Sequence, residues 1–565
     1  MSKYVEARRV FAGLILSTFA AFSNAQTPSQ FLNAEPLPTK PVPSKEAELP
    51  AQPVQPEIAK PLDDIHVDVS RFEVVGAPAD ALPEIQKRLA PFTGTGKTFE
   101  DLSNAARVVS AYLQSEKGLY LAYAYLPAQK ISNGVIRINV LPGILERVEI
   151  NWPEKPLRVD REIVQAHLAA LKPGSVIHVA EVERVVFLLN DLRGIHVNFA
   201  VRPGDTPGTA ILVASPSSTR AVSGKVSIDA NGSRFAGTYR GIATVNVDSP
   251  LGRGDSLALS QLHSDTGGLD FTLLGYTLPL GANGLKIGIN ASTVHYKLSE
   301  QDFPLGLNGD ARSLGAFALY PLRRSRNFNL FGLVGFDQKH FTDRQDLAGT
   351  ETSKQVDAYK LGLSGDSRDD WMGGGINFFD FDLEQSTIKY PDLRPAGLDD
   401  DSRTKKFNYS AGRLQSLLKD DLQLWTYLRG QKSLDNLDTT DQCELGGASG
   451  VRAFAQGESS GDDCLLATIE LRHFVSVPWL GIASREVSAN LFYDYGRTRF
   501  RHDAGLRPVS FQNFSILAGY GFGLVWERPD QFNFNMSLAF EDRGVRRSDP
   551  QKRSPRIFAA FTYYF

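Results

Sequence analysis

Cysteine, methionine and long apolar runs are all scarce in this 565-residue chain, and each scarcity closes off a class of protein. The only cysteines, Cys443 and Cys464, are too few for a disulfide-built scaffold, and no histidine stands near them at metal-ligand spacing. No metal site and no bound cofactor is expected. Neither sign of charge dominates, with 61 Lys and Arg against 64 Asp and Glu and a formal net charge of −3. The chain therefore lacks the basic footprint of a nucleic-acid binder. Beyond the N-terminal residues no apolar run reaches the about 18–20 residues that a membrane helix needs, which excludes helical spans.

What the chain does have begins at its N-terminus. Lys3, Arg8 and Arg9 precede the apolar run Val10–Phe22, and Ser23-Asn24-Ala25 offers a small-residue cleavage site, so residues 1–25 read as a secretory signal peptide. Residues 26–64 are dense in proline and poor in large apolar groups, which predicts an extended linker. Only Ser29–Glu35 leaves room between prolines for a short helix of about two turns.

Ordered structure is expected from residue 65. The first segment, 65–142, reads as strand Val67–Val75, helices Leu82–Ala90 and Phe99–Glu116, and strands Tyr120–Leu126 and Gly134–Val140. The pattern repeats over 143–216, with strand Leu145–Trp152, helices Asp160–Leu171 and Ala180–Asp191, and strands Ile195–Arg202 and Thr209–Ala214. Two βααββ units thus stand in series.

From about residue 217 the helical period gives way to alternation by twos. Leu285, Ile287 and Ile289 alternate with Lys286, Gly288 and Asn290, and Phe532, Phe534, Met536, Leu538 and Phe540 alternate with Asn533, Asn535, Ser537, Ala539 and Glu541. An apolar face set against a small, polar one is the pattern of an antiparallel transmembrane β-barrel, one side to lipid and the other to a wet lumen. Residues 217–565 suffice for roughly 14–18 strands of about 10 residues with turns and loops. The chain ends on aromatic alternation and a terminal Phe565, as outer-membrane strands do.

Within that region one loop stands out. Gly446–Asp462 sets Val451, Arg452, Ala453 and Phe454 between glycine-rich flanks, and downstream lies the strand Val487–Gly496 with Phe492, Asp494 and Gly496 on its polar face. A carboxylate in a barrel lumen needs a partner, and Arg452 is suited to supply a bidentate one. Such a pair serves either as a gate in transport or as a brace for the barrel.

With the early-barrel segment Asn246-Val-Asp-Ser-Pro-Leu-Gly-Arg-Gly-Asp255, these features resemble the outer-membrane transporters of two-partner secretion, the TpsB or haemolysin secretion/activation family of ShlB/FhaC/HecB type. The resemblance covers the whole chain. It implies a 16-stranded barrel in the Gram-negative outer membrane, preceded by two periplasmic polypeptide-transport-associated (POTRA) domains. It further implies a lumen-folded sixth loop, around 443–464 here, whose Arg452 is held by Asp494. The implied partner is one secreted exoprotein of TpsA type, a haemolysin or filamentous adhesin, bound by the POTRA domains and threaded outward unfolded. Outer-membrane lipid, and the barrel-assembly machinery acting on Phe565, complete the expected partners of a monomeric, non-enzymatic chain. The sequence departs from the family in the proline-broken linker, where many relatives carry a plug helix, and in Ala453, where glycine is common. A barrel-assembly factor and a passive porin are the alternatives.

Cys443 and Cys464 bracket the arginine tip, and in an oxidising periplasm they are expected to form a disulfide, with free thiols as the alternative. The bond would stabilise the closed loop by about 3 kcal/mol in the chain-entropy account. Gly457-Glu458-Ser459-Ser460-Gly461 fits G-x-S-x-G but lacks a strand-to-helix elbow and reads as a turn. Gly94-Thr-Gly-Lys97-Thr98 lacks the first glycine of a phosphate loop and reads as a linker capping the next helix. Arg323-Arg324-Ser-Arg326 reads as a solvated turn.

Overall fold

The computed structural model describes residues 66–301, 306–391, 401–418, 421–477, 482–503, 505, 512–544 and 554–565. The expected signal peptide, the linker and its short helix lie outside the described residues. Two compact units divide the described chain near residue 219.

The N-terminal unit holds two small α/β domains. In the first, β1 (His66–Val69), β2 (Arg71–Val75), α1 (Leu82–Leu89), β3 (Gly94–Thr98), α2 (Phe99–Ser115), β4 (Tyr123–Tyr125) and β5 (Val135–Leu141) follow in order. The sheet runs β2-β5-β4, with β2 parallel and β4 antiparallel to β5. Ile85 and Leu89 of α1 and Leu102, Ala106, Val109 and Leu113 of α2 bury against Phe72, Ile136, Ile138 and Val140. That spacing is the one-sided stripe expected of helices on a sheet.

The expected strand Val67–Val75 is broken at Ser70, whose backbone N–H donates to the Gly134 carbonyl at 2.7 Å, so that β1 turns away from the sheet. Gly94–Thr98 is not a plain linker but strand β3, antiparallel to β1, with His66 opposite Thr98 and Val67 opposite Lys97. It does cap α2: the Thr98 hydroxyl accepts from the Asp101 N–H and the Asp101 carboxylate accepts from the Thr98 N–H.

The second domain repeats the order with β6 (Ile144–Ile150), α3 (Arg161–Leu168), α4 (Val179–Asn190), β7 (Ile195–Pro203) and β8 (Thr209–Ser218). Its sheet runs β6-β8-β7 with the same senses. The two domains exchange core residues. Tyr120 of the first packs among Leu145, Val182 and Leu212 of the second, while Val176 of the second packs on the core of the first. Backbone bonds from Tyr120 N to Ile177 O (2.9 Å) and from Val179 N to Gly118 O (2.9 Å) fix the junction.

The C-terminal unit is a closed antiparallel barrel of sixteen strands, from Val222–Asp229 to Arg556–Tyr564. The last strand pairs with the first, Ala560 opposite Asp229 and Tyr564 opposite Lys225, and Phe565 exchanges two backbone bonds of 3.0 Å with Gly224. Closure leaves no unpaired edge, the condition for crossing a bilayer with strands. Alternate residues face outward as the pattern requires: Ile289 is 59% exposed and Leu491 52%, whereas Asp494 is fully buried on the inner side. Among the described residues no helix is long and apolar enough to cross a membrane.

Candidate functional site: a loop pinned inside the barrel

The wall strands that matter most are the eleventh (Leu422–Ser433), twelfth (Asp463–Val477) and thirteenth (Ile482–Arg499). Between the eleventh and twelfth, residues 434–462 form a long loop that turns inward and buries its tip. Glycine makes the fold-back possible. A Cβ at Gly446 would run into the Ala455 carbonyl, and one at Gly450 into the Leu445 carbonyl. The chain closes on itself through Val451 N–H to Leu445 O (2.7 Å) and Phe454 N–H to Val451 O (3.0 Å). Leu445, Val451, Ala453 and Phe454 then pack with Leu466, Phe492, Leu517 and Ala539 of the wall in one apolar cluster.

That cluster aims Arg452. Its Nε and one terminal nitrogen donate to the two oxygens of Asp494 at 2.8 and 2.9 Å, and its backbone N–H donates to the same carboxylate at 3.1 Å. The other terminal nitrogen donates to Glu470 at 3.1 Å, and the guanidinium carbon lies over the Phe492 ring, 3.3 Å from its centre. Bidentate pairing and stacking together use the planar fork that lysine lacks. Both carboxylates have further donors. Thr468 Oγ1 donates to Asp494 at 3.0 Å, while Arg472 Nε and Asn490 Nδ2 donate to Glu470 at 2.7 and 2.6 Å.

The other residues singled out in the sequence fall into the same construction. Gly496 leaves room for the loop, since a Cβ there would sit 2.9 Å from Leu445 and Val451. Ala453 is accommodated by a wall glycine: a Cβ on Gly519 would collide with the Ala453 methyl. Cys443 and Cys464 are joined in a disulfide, with Cα atoms 6.3 Å apart, and Cys443–Glu444 pairs with Ser460–Gly461 in a short hairpin at the loop's base. Ser459 of the G-x-S-x-G sequence is buried and donates to Thr498 Oγ1 at 2.9 Å. It fastens the loop to the thirteenth strand. Among the described residues no group of three or more His, Cys, Asp or Glu is placed to hold a metal ion.

Sequence reasoning missed Glu470, the second carboxylate on Arg452. Its strand carried the signal, because Thr468, Glu470 and Arg472 alternate with apolar residues and so face the lumen. The pairing of Thr468 with Asp494, which brings Glu470 within reach, is a register between strands that neither strand states alone.

A closed outer-membrane barrel, a pinned inward loop and two α/β domains ahead of it define an outer-membrane transporter with periplasmic domains. Residues 208–525 match the haemolysin secretion/activation protein family ShlB/FhaC/HecB, and residues 67–143 match the ShlB-type POTRA domain. The chain belongs to that family, whose members carry a secreted exoprotein across the outer membrane, and its POTRA domains lie in the periplasm. Among characterised proteins it is 26% identical over 491 residues to the heme/hemopexin transporter protein HuxB of Haemophilus influenzae, covering 86% of this chain and 84% of the relative. It is 24% identical to the outer membrane transporter CdiB of Escherichia coli, over 73% of this chain and 70% of that protein. The solved structure of CdiB from Escherichia coli shares the fold, with a TM-score of 0.65, 19% identity and coverage of 91% and 93% of the two chains.

Proposed function

We propose that this chain exports one cognate exoprotein, of the haemolysin or filamentous-adhesin kind, unfolded through its own barrel, and that the Arg452–Asp494–Glu470 cluster holds the closed state. The observation that carries the reading is the position of Arg452, which occupies the lumen on the tip of a loop rather than on the wall. A loop can leave, and a wall residue cannot. An open-ended porin has no use for a buried arginine shared by two carboxylates, nor for the tandem POTRA units. The site is made of Val451, Arg452, Ala453 and Phe454 on the loop and Phe492, Asp494 and Gly496 on the wall, with the Cys443–Cys464 bond at the loop's base.

In this reading residues 1–25 are removed on export and 26–64 serve as linker. Residues 65–142 and 143–216 receive the exoprotein in the periplasm, and 217–565 form the conduit. Sheet edges such as β7 offer a row of main-chain donors and acceptors to which an extended substrate can add as a strand. No nucleotide is available at the outer membrane, so direction comes from folding of the substrate outside. The chain works as a monomer in outer-membrane lipid and is inserted by the barrel-assembly machinery acting on the Phe565 end. Co-expression with a large exported protein encoded beside it tests the reading. Appearance of that protein in the medium supports export, and its retention despite a well-assembled barrel moves the assignment to an assembly factor or a porin.

A further inference from the structure

The loop makes contacts that the arginine tip does not explain. Residues 434–442, between the end of the eleventh strand and Cys443, reach back over wall residues of the eighth to tenth strands (Thr350–Asp369, Gly375–Lys389 and Asp401–Leu418). Asp438 accepts from Lys354 Nζ at 2.8 Å on one oxygen and from the Tyr390 hydroxyl at 2.8 Å on the other. Asp441 accepts from Lys406 Nζ at 3.2 Å, and its carbonyl accepts from the same nitrogen at 3.1 Å and from Gln431 Nε2 at 3.0 Å. Lys406 in turn lies 3.5 Å from Glu384. The signs are the reverse of those at the tip, with loop carboxylates on wall cations.

The disulfide divides these two holds. Cys464 is on the twelfth strand and pairs directly with Gln431 of the eleventh, so residues 434–442 run from the eleventh strand to a covalent anchor on the twelfth and lie outside the ring 443–464 that the bond closes. Residue 443 is fixed by that bond, and none of residues 434–442 belongs to the apolar cluster of Leu445, Val451 and Phe454. We propose that residues 434–442 are a strap latched by Asp438 and Asp441 on Lys354 and Lys406, and that the strap opens separately from, and more readily than, the Arg452 tip. The latch cations are ammonium groups, point charges on flexible stems that lack the guanidinium's fork, and each latch carboxylate holds its lysine through one oxygen. The tip instead holds a bidentate, stacked guanidinium among apolar side chains. The inference rests on the barrel being a conduit and adds which part of the loop yields first.

The test uses the purified full-length protein in planar bilayers without exoprotein. Asp438→Asn with Asp441→Asn removes both latch carboxylates, and the frequency of opening events is expected to rise by about tenfold or more. The exchange Lys354→Asp with Asp438→Lys restores opposite charges and is expected to bring the frequency back toward that of the unaltered protein. Adding Arg452→Ala to the double variant multiplies its effect to within about twofold if strap and tip are independent. Heat-modifiable migration verifies assembly. If the double variant does not assemble, Lys354→Gln is read in the same way. An assembled double variant with unchanged opening overturns the proposal, as does an exchange variant that stays as open as the double variant, or a strongly non-multiplicative combination. Export and opening are read separately. Lost export with the expected opening behaviour sinks only the transport reading, and unchanged opening in an exporting chain sinks only the strap.

Discussion

Replacing Arg452 with alanine removes one guanidinium from two buried carboxylates, and the loss falls unequally on them. Glu470 keeps Arg472 and Asn490, whereas Asp494 keeps only the Arg452 backbone N–H and the Thr468 hydroxyl. Asp494 is fully buried, so most of the penalty comes from leaving its charge without a cation, about 3–5 kcal/mol. At about 1.4 kcal/mol per tenfold, the docked loop loses roughly two to three and a half orders of magnitude in its favour. Glu470→Gln keeps the Asp494 pair intact and should cost less, about 1–3 kcal/mol. Arg452→Lys keeps the charge but loses the fork and falls between. Limited proteolysis of the loop in outer-membrane preparations reads this order, with secreted exoprotein and heat-modifiable barrel measured in parallel. The gate reading expects Arg452→Ala to expose the loop and block export while the barrel persists. Loss of the barrel itself supports a brace, and wild-type protease protection in Arg452→Ala refutes the energetic account.

Further predictions follow from neighbouring contacts. Gly519→Val should crowd both the Ala453 methyl and the Phe540 carbonyl, with about 1–3 kcal/mol of overpacking visible as faster loop cleavage, and Ala453→Gly should restore protection in part. Cys443→Ser with Cys464→Ser should loosen the loop's base by about 3 kcal/mol without abolishing assembly, read as loop cleavage that reductant no longer alters. Tyr120→Ala should destabilise the second POTRA domain by about 3–5 kcal/mol, because its ring is part of that domain's core, and hydrogen exchange in β6–β8 of the full chain should quicken.

The parts of this molecule that were legible in its sequence are those governed by a local period. Alternation by twos separated lipid-facing Leu491 and Tyr493 from lumen-facing Asn490 and Asp494, because the pleat itself sorts the side chains. Helical stripes placed α1 to α4 to within a few residues. What escaped was set by pairing between distant segments. Ser70 breaks the first strand because it bonds to Gly134 far along the chain, and Gly94–Thr98 is a strand only because β1 lies beside it. Glu470 reaches Arg452 through the register of the twelfth and thirteenth strands, and Lys354 and Lys406 meet Asp438 and Asp441 through the curvature of the wall. A single strand's sequence carries which face a residue takes, but not which neighbour it finds there.

The central claim is that the substrate passes through the lumen of this barrel. It is tested most directly by stalling an exoprotein in transit with a folded C-terminal fusion while a photo-crosslinking residue replaces one wall position at a time. The lumen-facing position of Glu384 should yield a covalent adduct with the stalled exoprotein, and the lipid-facing position of Ile469, which is 55% exposed on the outer surface, should yield none. Adducts confined to the outer face, or absent from both positions while the exoprotein still reaches the medium, would contradict passage through the barrel.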